Sequence, residues 1–165
     1  MKIIENFIDI EDCESIIDFL DFKDINNELI IASDGRKIFN KKEDVFVSNI
    51  IKKYLPKIKK EWGTVQDLKP HIVWCVKYEN TIDLPLHTDI ITEECNNDYL
   101  SIVVYLNDDY MGGEIVYPRL DKALHPLAGT AIIMDLHDKT YEHSVNAVTN
   151  GVKYIMPICV YLLKD

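Results

Sequence analysis

The feature that most constrains the fold is a series of short runs of β-branched and aromatic residues, which starts at His71 and continues almost to the end of the 165-residue chain. The runs cover residues 71–78, 99–106, 114–117, 130–134 and 152–163. Turn-forming pairs such as Gly112-Gly113 and Asn150-Gly151 separate them, which is typical of short antiparallel strands. No stretch of helical length lies between the runs, so the pattern disfavours a parallel α/β sheet. It predicts a double-sheet β-sandwich or jelly roll.

The first third of the chain has helical patterns instead. A helix is predicted from Ile10 to Phe19 with Asp12 as its cap, and a second from about residue 42 to Trp62. Pro56 should kink or split the second helix, because proline removes a hydrogen bond and clashes with the preceding turn. Residues 32–37 are expected to form an exposed turn or a mobile loop. We therefore expect a single domain, mainly β with N-terminal helices, with a helical part at 1–65 and a jelly-roll core at 66–165.

The net charge of the chain excludes some classes of binding partner. Lys and Arg number 18 against 28 Asp and Glu, which gives a formal net charge of -10. A protein that binds phosphate backbones or anionic membranes needs a basic patch, so neither nucleic acid nor a membrane is expected as a partner. The acidity fits simple solubility or, alternatively, a basic peptide or protein substrate. The sequence leaves the oligomeric state open.

The cysteines and the N-terminus bear on the compartment. Four scattered cysteines, with no C-x-x-C pair, suit a reducing compartment better than a disulfide framework or a structural zinc site. The first residues turn polar too early for a signal peptide, and no apolar run approaches the roughly 18 residues of a membrane span. A cytoplasmic location is therefore expected.

Candidate metal ligands occur at two places in the strand-rich part. His87 and Asp89 are two residues apart, so on an extended segment both side chains leave the same face. Alone, this pair could equally be a surface histidine beside a loop aspartate. His143 follows 56 residues after His87, and two imidazoles with one carboxylate form the three-ligand face of a non-haem Fe(II) oxygenase. His137 competes for the third position, although its neighbours indicate a loop.

Lys153 opens the apolar final run, where an unpaired ammonium would be costly to bury. One explanation is that it lies at the strand end and reaches water. The other is that it neutralises the distal carboxylate of an organic acid bound to the metal. A three-residue loop with Gly151 in a left-handed bulge would pair Val148 with Val152 and place His143 and Lys153 on one face of a hairpin. We therefore predict this bulged hairpin.

Taken together, these motifs resemble those of the 2-oxoglutarate- and Fe(II)-dependent oxygenases of the prolyl 4-hydroxylase type. The resemblance covers most of the chain, from residues 6–8 to the last strand. Its landmarks, in the family's order, are Tyr78, His87-x-Asp89, Tyr105-Leu-Asn-Asp108, Gly112-Gly113-Glu114, Pro126 with Gly129-Thr-Ala131, His143 and Gly151-x-Lys153. Their joint occurrence is far more specific than any one of them.

The resemblance implies a double-stranded β-helix enzyme that holds Fe(II) through His87, Asp89 and His143. It implies 2-oxoglutarate and O2 as co-substrates, with ascorbate as an optional cofactor. The implied reaction hydroxylates a peptidyl proline and converts 2-oxoglutarate to succinate and CO2. An intact Asp89 favours hydroxylation over halogenation, because related halogenases have a small residue in place of the carboxylate.

The same resemblance implies that Lys153 binds the distal carboxylate of 2-oxoglutarate, with Tyr78 and Tyr105 as hydroxyl partners. Each tyrosine alone could equally pack in the core. Two rival interpretations stay open. One keeps the cofactors and changes the substrate to another peptidyl residue or a free amino acid. The other is a catalytically silent jelly-roll binding module.

Three departures from the family pattern concern the substrate. Asp98 stands where many members have an arginine, Cys159 where the final strand commonly has a tryptophan, and Pro157 where relatives are often polar. They leave the iron and co-substrate inference intact and put the substrate in question. Among the remaining aromatic and basic residues, those expected in the core are Trp62 and Trp74, and those expected in solvated loops, with a groove-lining role as the alternative, are Arg36, Lys37 and Tyr110.

Overall fold

The computed structural model describes residues 1–90 and 99–163, so Cys95 and Asp98 lie outside the described residues. Its two α-helices are α1 (Ile10–Ile25) and α2 (Val45–Trp62). The strands are β1 (Lys2–Ile4), β2 (Ile30–Ile31), β3 (Lys37–Phe39), β4 (Leu68–Val73), β5 (Cys75–Tyr78), β6 (Leu84–His87), β7 (Leu100–Tyr105), β8 (Met111–Gly112), β9 (Ile115–Tyr117), β10 (Lys122–Leu124), β11 (Ala131–Asp135), β12 (His143–Val145), β13 (Val148–Asn150) and β14 (Lys153–Leu162). Short 3-10 helices occupy Pro118–Leu120 and Lys139–Tyr141.

Two antiparallel sheets form the jelly roll that the strand pattern predicts. The major sheet has the order β1-β11-β7-β14-β5-β3-β2, and β4 pairs with the C-terminal part of β14. The minor sheet has the order β10-β9-β12-β6, and β13 pairs with β8 in a separate ribbon. The prediction of a mainly β jelly roll with N-terminal helices is confirmed.

Apolar side chains cover both faces of the major sheet. On β7, Ile102 and Val104 pack in the core cluster that contains the helices, whereas Val103 and Tyr105 belong to a second cluster with residues of the minor sheet. All six residues of β7 are consequently buried. A strand that is covered on both faces needs a continuous apolar run rather than an alternating one, which is the pattern seen in the sequence.

Both predicted helices are present, with different ends and details. α1 continues to Ile25, beyond the predicted end, and Asp9 rather than Asp12 precedes its first residue, so the predicted cap is wrong. Asp12 lies in the first turn, where Lys53 Nζ donates to its Oδ2 at 2.6 Å and ties α1 to α2. In α2, Pro56 lies inside an unbroken helix, so the predicted split does not occur.

Residues 32–36 form the turn of a hairpin between β2 and β3. The sequence indicated the turn but not the strands beside it, and the loop assignment was wrong at Lys37, which pairs with Ile31. β3 also pairs with β5, so the hairpin is attached to the edge of the major sheet. Strands of two and three residues are too short for a periodic pattern to reveal them.

The predicted hairpin between the His143 segment and the last strand is not formed. Gly151 has the expected left-handed φ of 74°, but Val148 pairs with Gly112 on β8 and not with Val152. β14 lies between β7 and β5 instead. His143 and Lys153 therefore belong to different sheets, and both line one cavity.

Neither helix in the described part of the chain combines the length and the apolar character that crossing a membrane requires. The three cysteines within that part, Cys13, Cys75 and Cys159, are buried and form no disulfide. Burial raises the pKa of the Cys13 thiol to about 11 and that of Cys75 to about 12, which keeps both thiols protonated at neutral pH.

Candidate active site

Two histidines on neighbouring strands of the minor sheet form the centre of the candidate site. His87 ends β6, and His143 begins β12 directly opposite it in the antiparallel register. Their ring centroids are 4.5 Å apart. Strand pairing therefore brings together two imidazoles that are 56 residues apart in the sequence.

Asp89 completes a cluster with these two histidines. Its Oδ1 lies 3.7 Å from His87 Nε2 and 3.5 Å from His143 Nε2, and one ligand atom from each residue falls within 4.8 Å of the others. Nitrogen and oxygen atoms bound to one ion at about 2.1 Å stand roughly 3–3.5 Å apart, so the cluster could hold a divalent metal with only a small contraction. In residues 1–90 and 99–163, no other group of His, Cys, Asp and Glu meets this criterion.

Backbone carbonyls behind the two imidazoles orient them toward the common centre. Nδ1 of His87 lies 2.8 Å from Pro85 O, and Nδ1 of His143 lies 2.9 Å from Tyr141 O. Because a carbonyl can only accept, each Nδ1 donates to it, which leaves Nε2 as the ring atom that can face a metal. Burial, together with the neighbouring His143, lowers the pKa of His87, so its ring is neutral at neutral pH, as a ligand must be.

Ser101 links the cluster to the major sheet. It lies on β7, and its hydroxyl donates to Asp89 Oδ2 at 2.5 Å, while Asp89 Oδ1 is directed at the histidines. Ser101 is a functional residue that the sequence analysis did not single out. No spacing rule indicates the bond to Asp89, because only the packing of the segment after β6 against β7 brings the two residues together.

The other histidines lie apart from this cluster. His137, the rival third ligand, is exposed, and its backbone N–H donates to Asp135 Oδ1 at 2.8 Å. His125 stacks on Tyr110 with the ring centroids 4.4 Å apart. The structure thus brings together His87, Asp89 and His143, the three residues that the sequence predicts as ligands.

Lys153 is buried at the start of β14, with 1% of its surface exposed, so the alternative in which it reaches water is wrong. Its Nζ donates to Gly113 O at 2.7 Å and lies 5.0 Å and 5.2 Å from the ring centroids of Tyr78 and Tyr105. Burial lowers the pKa of the Lys153 amine to about 7. Because its hydrogen-bond partner is a neutral carbonyl rather than a carboxylate, an anion bound beside it would stabilise its charged form.

Gly113 makes room for this lysine. It adopts a left-handed φ of 69°. A Cβ built at this position would lie 3.2 Å from Lys153 Cδ and 3.0 Å from both the Tyr110 ring and a Val148 methyl group. Glycine at position 113 is therefore required by close packing against the lysine stem as well as by backbone conformation.

One cavity of about 390 Å³ contains both the metal cluster and Lys153. β14 runs along it, and every second side chain of this strand faces the cavity: Lys153, Ile155, Pro157 and Cys159. Six residues of extended strand span about 20 Å, so Lys153 and Cys159 mark two well-separated ends.

The two ends of the cavity differ in character. The charged end consists of Lys153, Tyr78, Tyr105 and Arg36, and the apolar end consists of Ile72, Trp74, Pro157 and Cys159. Ser101, which holds Asp89, pairs with Cys159 in the sheet register, so the metal cluster adjoins the apolar end.

Arg36 lines the charged end, so of its two sequence-based assignments the groove-lining one is correct. Its side chain is 19% exposed, its Nε donates to Asp34 Oδ2 at 2.7 Å, and its guanidinium carbon lies 5.8 Å from the Tyr78 ring centroid. Burial alone would lower the pKa of the guanidinium, but Tyr78 and Asp34 raise it. Lys37 instead pairs with Asp24 at 2.8 Å.

Tyr110 is buried, which the solvated-loop assignment did not anticipate. Its hydroxyl is the one buried side-chain polar atom, within the part of the chain that the structure describes, that has no hydrogen-bond partner. Its ring lies 5.8 Å from Lys153 Nζ and therefore helps to enclose the amine.

The two tryptophans have different environments. Trp62 packs against the main core, as predicted, and its Nε1 donates to the Tyr99 hydroxyl at 2.9 Å. Trp74 contacts the second core cluster but is partly exposed and lines the apolar end of the cavity, which the core assignment missed. The alternation of side chains along a strand could have predicted this position. Val73 and Cys75 face the helices, so Trp74 between them must face the other way.

The sequence profile of the 2OG-Fe(II) oxygenase superfamily matches residues 73–160 of this chain. A protein of Acanthamoeba polyphaga mimivirus that carries the name "Putative prolyl 4-hydroxylase" is 19% identical over 170 residues, which cover 93% of this chain and 70% of the viral protein.

Two solved structures share the fold. The viral collagen prolyl hydroxylase vCPH from Paramecium Bursaria Chlorella virus-1, in a 2OG complex, is 21% identical with a TM-score of 0.72, over 96% of this chain and 94% of that chain. A prolyl-4-hydroxylase from Pseudomonas putida is 14% identical with a TM-score of 0.74, over 99% and 92%. At these identities the likeness establishes the jelly-roll architecture.

Proposed function

This chain belongs to the 2OG-Fe(II) oxygenase superfamily, and we propose that it is a dioxygenase of the prolyl 4-hydroxylase type that hydroxylates a peptidyl proline. The observation that carries the proposal is the combination, in one cavity, of a His-Asp-His cluster with a buried lysine. A silent binding module would have no need to retain both a competent ligand set and a costly buried amine.

In this proposal His87, Asp89 and His143 hold Fe(II) through two Nε2 atoms and one carboxylate oxygen. Two imidazoles and one carboxylate are a ligand set that would suit Fe(II) in an enzyme that uses 2-oxoglutarate and O2. When bound, the iron supplies the O2 activation that couples decarboxylation of 2-oxoglutarate to hydroxylation of a C–H bond. The protein's contribution is to fix the ligand geometry through the carbonyls of Pro85 and Tyr141 and the hydroxyl of Ser101.

Lys153 is proposed to bind the distal carboxylate of 2-oxoglutarate. The buried amine lacks an acidic hydrogen-bond partner, and a carboxylate is the group that would compensate its charge in this environment. Tyr78 and Tyr105 flank the amine and are proposed to donate their hydroxyls to the same carboxylate. Burial raises the pKa of both phenols, so each keeps the proton that it would donate.

A peptidyl proline is the proposed substrate, and two features support it. The mimivirus relative and the two solved structures described above are named as prolyl hydroxylases, one of them for collagen. The apolar end of the cavity adjoins the metal cluster and could receive an apolar ring. Cys159 and Pro157 depart from the family pattern at this end, so the peptide sequence around the proline is the open part of the proposal.

The test is to incubate the anaerobically purified protein with Fe(II), 2-oxoglutarate and a panel of proline-rich peptides, and then to admit O2. Succinate is quantified, and each peptide is mapped for the gain of one oxygen atom. Hydroxylated proline with stoichiometric succinate is the expected result. Succinate release without peptide oxidation would support the oxygenase activity and exclude the peptides in the panel as substrates. A protein that neither binds Fe(II) nor forms succinate would contradict the whole proposal.

A further inference from the structure

We propose that Trp74 is a specificity-determining residue whose indole forms the wall against which the target prolyl ring packs beside the metal cluster. This role rests on the proposed function and goes beyond it, because it assigns the selection of proline to the residue between β4 and β5 rather than to a residue of the final strand. Trp74 stands between these two strands, where both pair with β14.

The position of Trp74 follows from the strand register. Its backbone N–H donates to Pro157 O at 2.9 Å, which fixes it beside β14. Cys159, two residues further along β14, pairs with Ile72 on one side and with Ser101 on the other. Ser101 is the residue whose hydroxyl donates to Asp89, so Trp74 lies toward the end of the sheet to which the metal cluster is attached. The indole and the three candidate ligands line the same cavity.

The surface around Trp74 selects for an apolar group without an N–H donor. Ile72, Pro157 and Cys159 line the cavity beside it and carry no charge. A peptide N–H buried against such a surface would lose its hydrogen bond to water, which costs about 1–3 kcal/mol. A peptidyl proline has no N–H to lose, and its ring can pack flat on an indole face, as proline-rich ligands do in aromatic-lined grooves.

Cys159 strengthens the assignment to Trp74. The family pattern commonly has a tryptophan at this position, and here a small thiol lines the cavity instead. Trp74, on the neighbouring strand, is partly exposed and lines the same end. The chain therefore keeps an aromatic wall in the cavity, supplied from an adjacent strand.

The first experiment measures the steady-state kinetics of the wild type, Trp74→Ala and Trp74→Phe with a proline peptide that the wild type hydroxylates. Trp74→Ala should raise the KM for the peptide by at least about tenfold and leave the KM for 2-oxoglutarate unchanged, because the charged end is untouched. Trp74→Phe should restore most of the loss, since a flat aromatic face remains. Trp62→Phe is the matched control, because Trp62 lies outside the cavity, and it should behave as wild type.

The second experiment measures binding of the proline peptide in the absence of turnover. In the Trp62→Phe variant Trp74 is the one remaining tryptophan, so its fluorescence reports on the apolar end. Adding the proline peptide to the anaerobic complex with Fe(II) and 2-oxoglutarate should change the intensity or the emission maximum, and the same peptide with alanine in place of proline should bind more weakly.

The outcomes separate this inference from the proposed function. A proline peptide that is hydroxylated by Trp74→Ala with an unchanged KM, or that binds without altering Trp74 fluorescence, would overturn the role of Trp74 and leave the prolyl hydroxylase intact. Failure of every proline peptide to bind or react would overturn the proposed function itself. Failure of Trp74→Ala to bind 2-oxoglutarate would indicate that this variant is misfolded. The kinetics of Trp74→Phe and the fluorescence titration would then test the role of Trp74.

Discussion

The two ends of the cavity are built on different principles. At the charged end, Lys153 is buried with a neutral carbonyl as its hydrogen-bond partner, so a bound anion would stabilise its charged form. At the apolar end, Trp74, Pro157 and Cys159 form a surface that many combinations of apolar residues could form equally well. A charge in the interior specifies its ligand strongly, whereas apolar packing specifies only size and shape. This difference explains why the co-substrate is easier to identify than the target.

The largest expected effect is at the metal cluster, which serves both ends. His143→Ala should abolish Fe(II) binding and lower peptide hydroxylation by more than about 1000-fold, because two remaining ligands cannot fix the ion. Anaerobic Fe(II) titration and succinate release measure the two effects. His137→Ala is the control, since His137 is exposed and lies outside the cluster. An Fe(II) affinity that His143→Ala leaves unchanged would remove His143 from the ligand set.

Lys153→Met tests the charged end alone. The change keeps the apolar stem and removes the amine, so the KM for 2-oxoglutarate should rise roughly 30- to 5000-fold, the range for losing one partner of a buried charge pair. The dissociation constant of the peptide, measured by Trp74 fluorescence in the Trp62→Phe background at saturating 2-oxoglutarate, should change little. Lys122→Met, on the exposed strand β10, is the control. Unaltered 2-oxoglutarate affinity would exclude the proposed role of Lys153.

Ser101→Ala tests the junction between the cluster and the major sheet. Removing the hydroxyl that donates to Asp89 Oδ2 should weaken Fe(II) binding about 10- to 100-fold, the usual range for a group that orients a metal ligand. Ser33→Ala, in the exposed turn of the β2–β3 hairpin, is the control. Equal Fe(II) affinity in the two variants would mean that Asp89 is held by other contacts.

The smallest expected effect is a pH dependence at the charged end. In the free protein burial lowers the pKa of Lys153 to about 7, and a bound carboxylate would raise it. Above pH 7, binding of 2-oxoglutarate must therefore take up a proton, and its affinity should fall about tenfold per pH unit. Below pH 7 the amine is already charged, so the dependence on this group should disappear.

Calorimetry in buffers of different ionisation enthalpy would measure the proton uptake directly. The Lys153→Met variant is the matched comparison, because it has no amine to titrate and should show weak affinity with no slope above pH 7. Net proton uptake that persists in this variant would assign the effect to another group.

Local structure was largely predictable because it depends on residue type and short spacing. The apolar runs identify the longer strands, and Gly151 adopts the left-handed conformation that its position indicated. The partner of the strand before it was not predictable. Val148 pairs with Gly112 rather than Val152, because the last strand gains more by inserting between β7 and β5, where both of its faces are buried.

What the sequence alone determined is the chemistry of the site, because an imidazole, a carboxylate and a buried amine keep their ligand preferences in any fold. The spacing of His87, Asp89 and His143 indicated a possible three-ligand metal site, and the flanking motifs, through their resemblance to the oxygenase family, implied Fe(II) and 2-oxoglutarate. Only the tertiary structure decided which side chains share the cavity with them. The environments of Ser101, Trp74 and Arg36 depend on contacts between segments far apart in the chain, and such contacts follow from burial of whole strands rather than from local pattern.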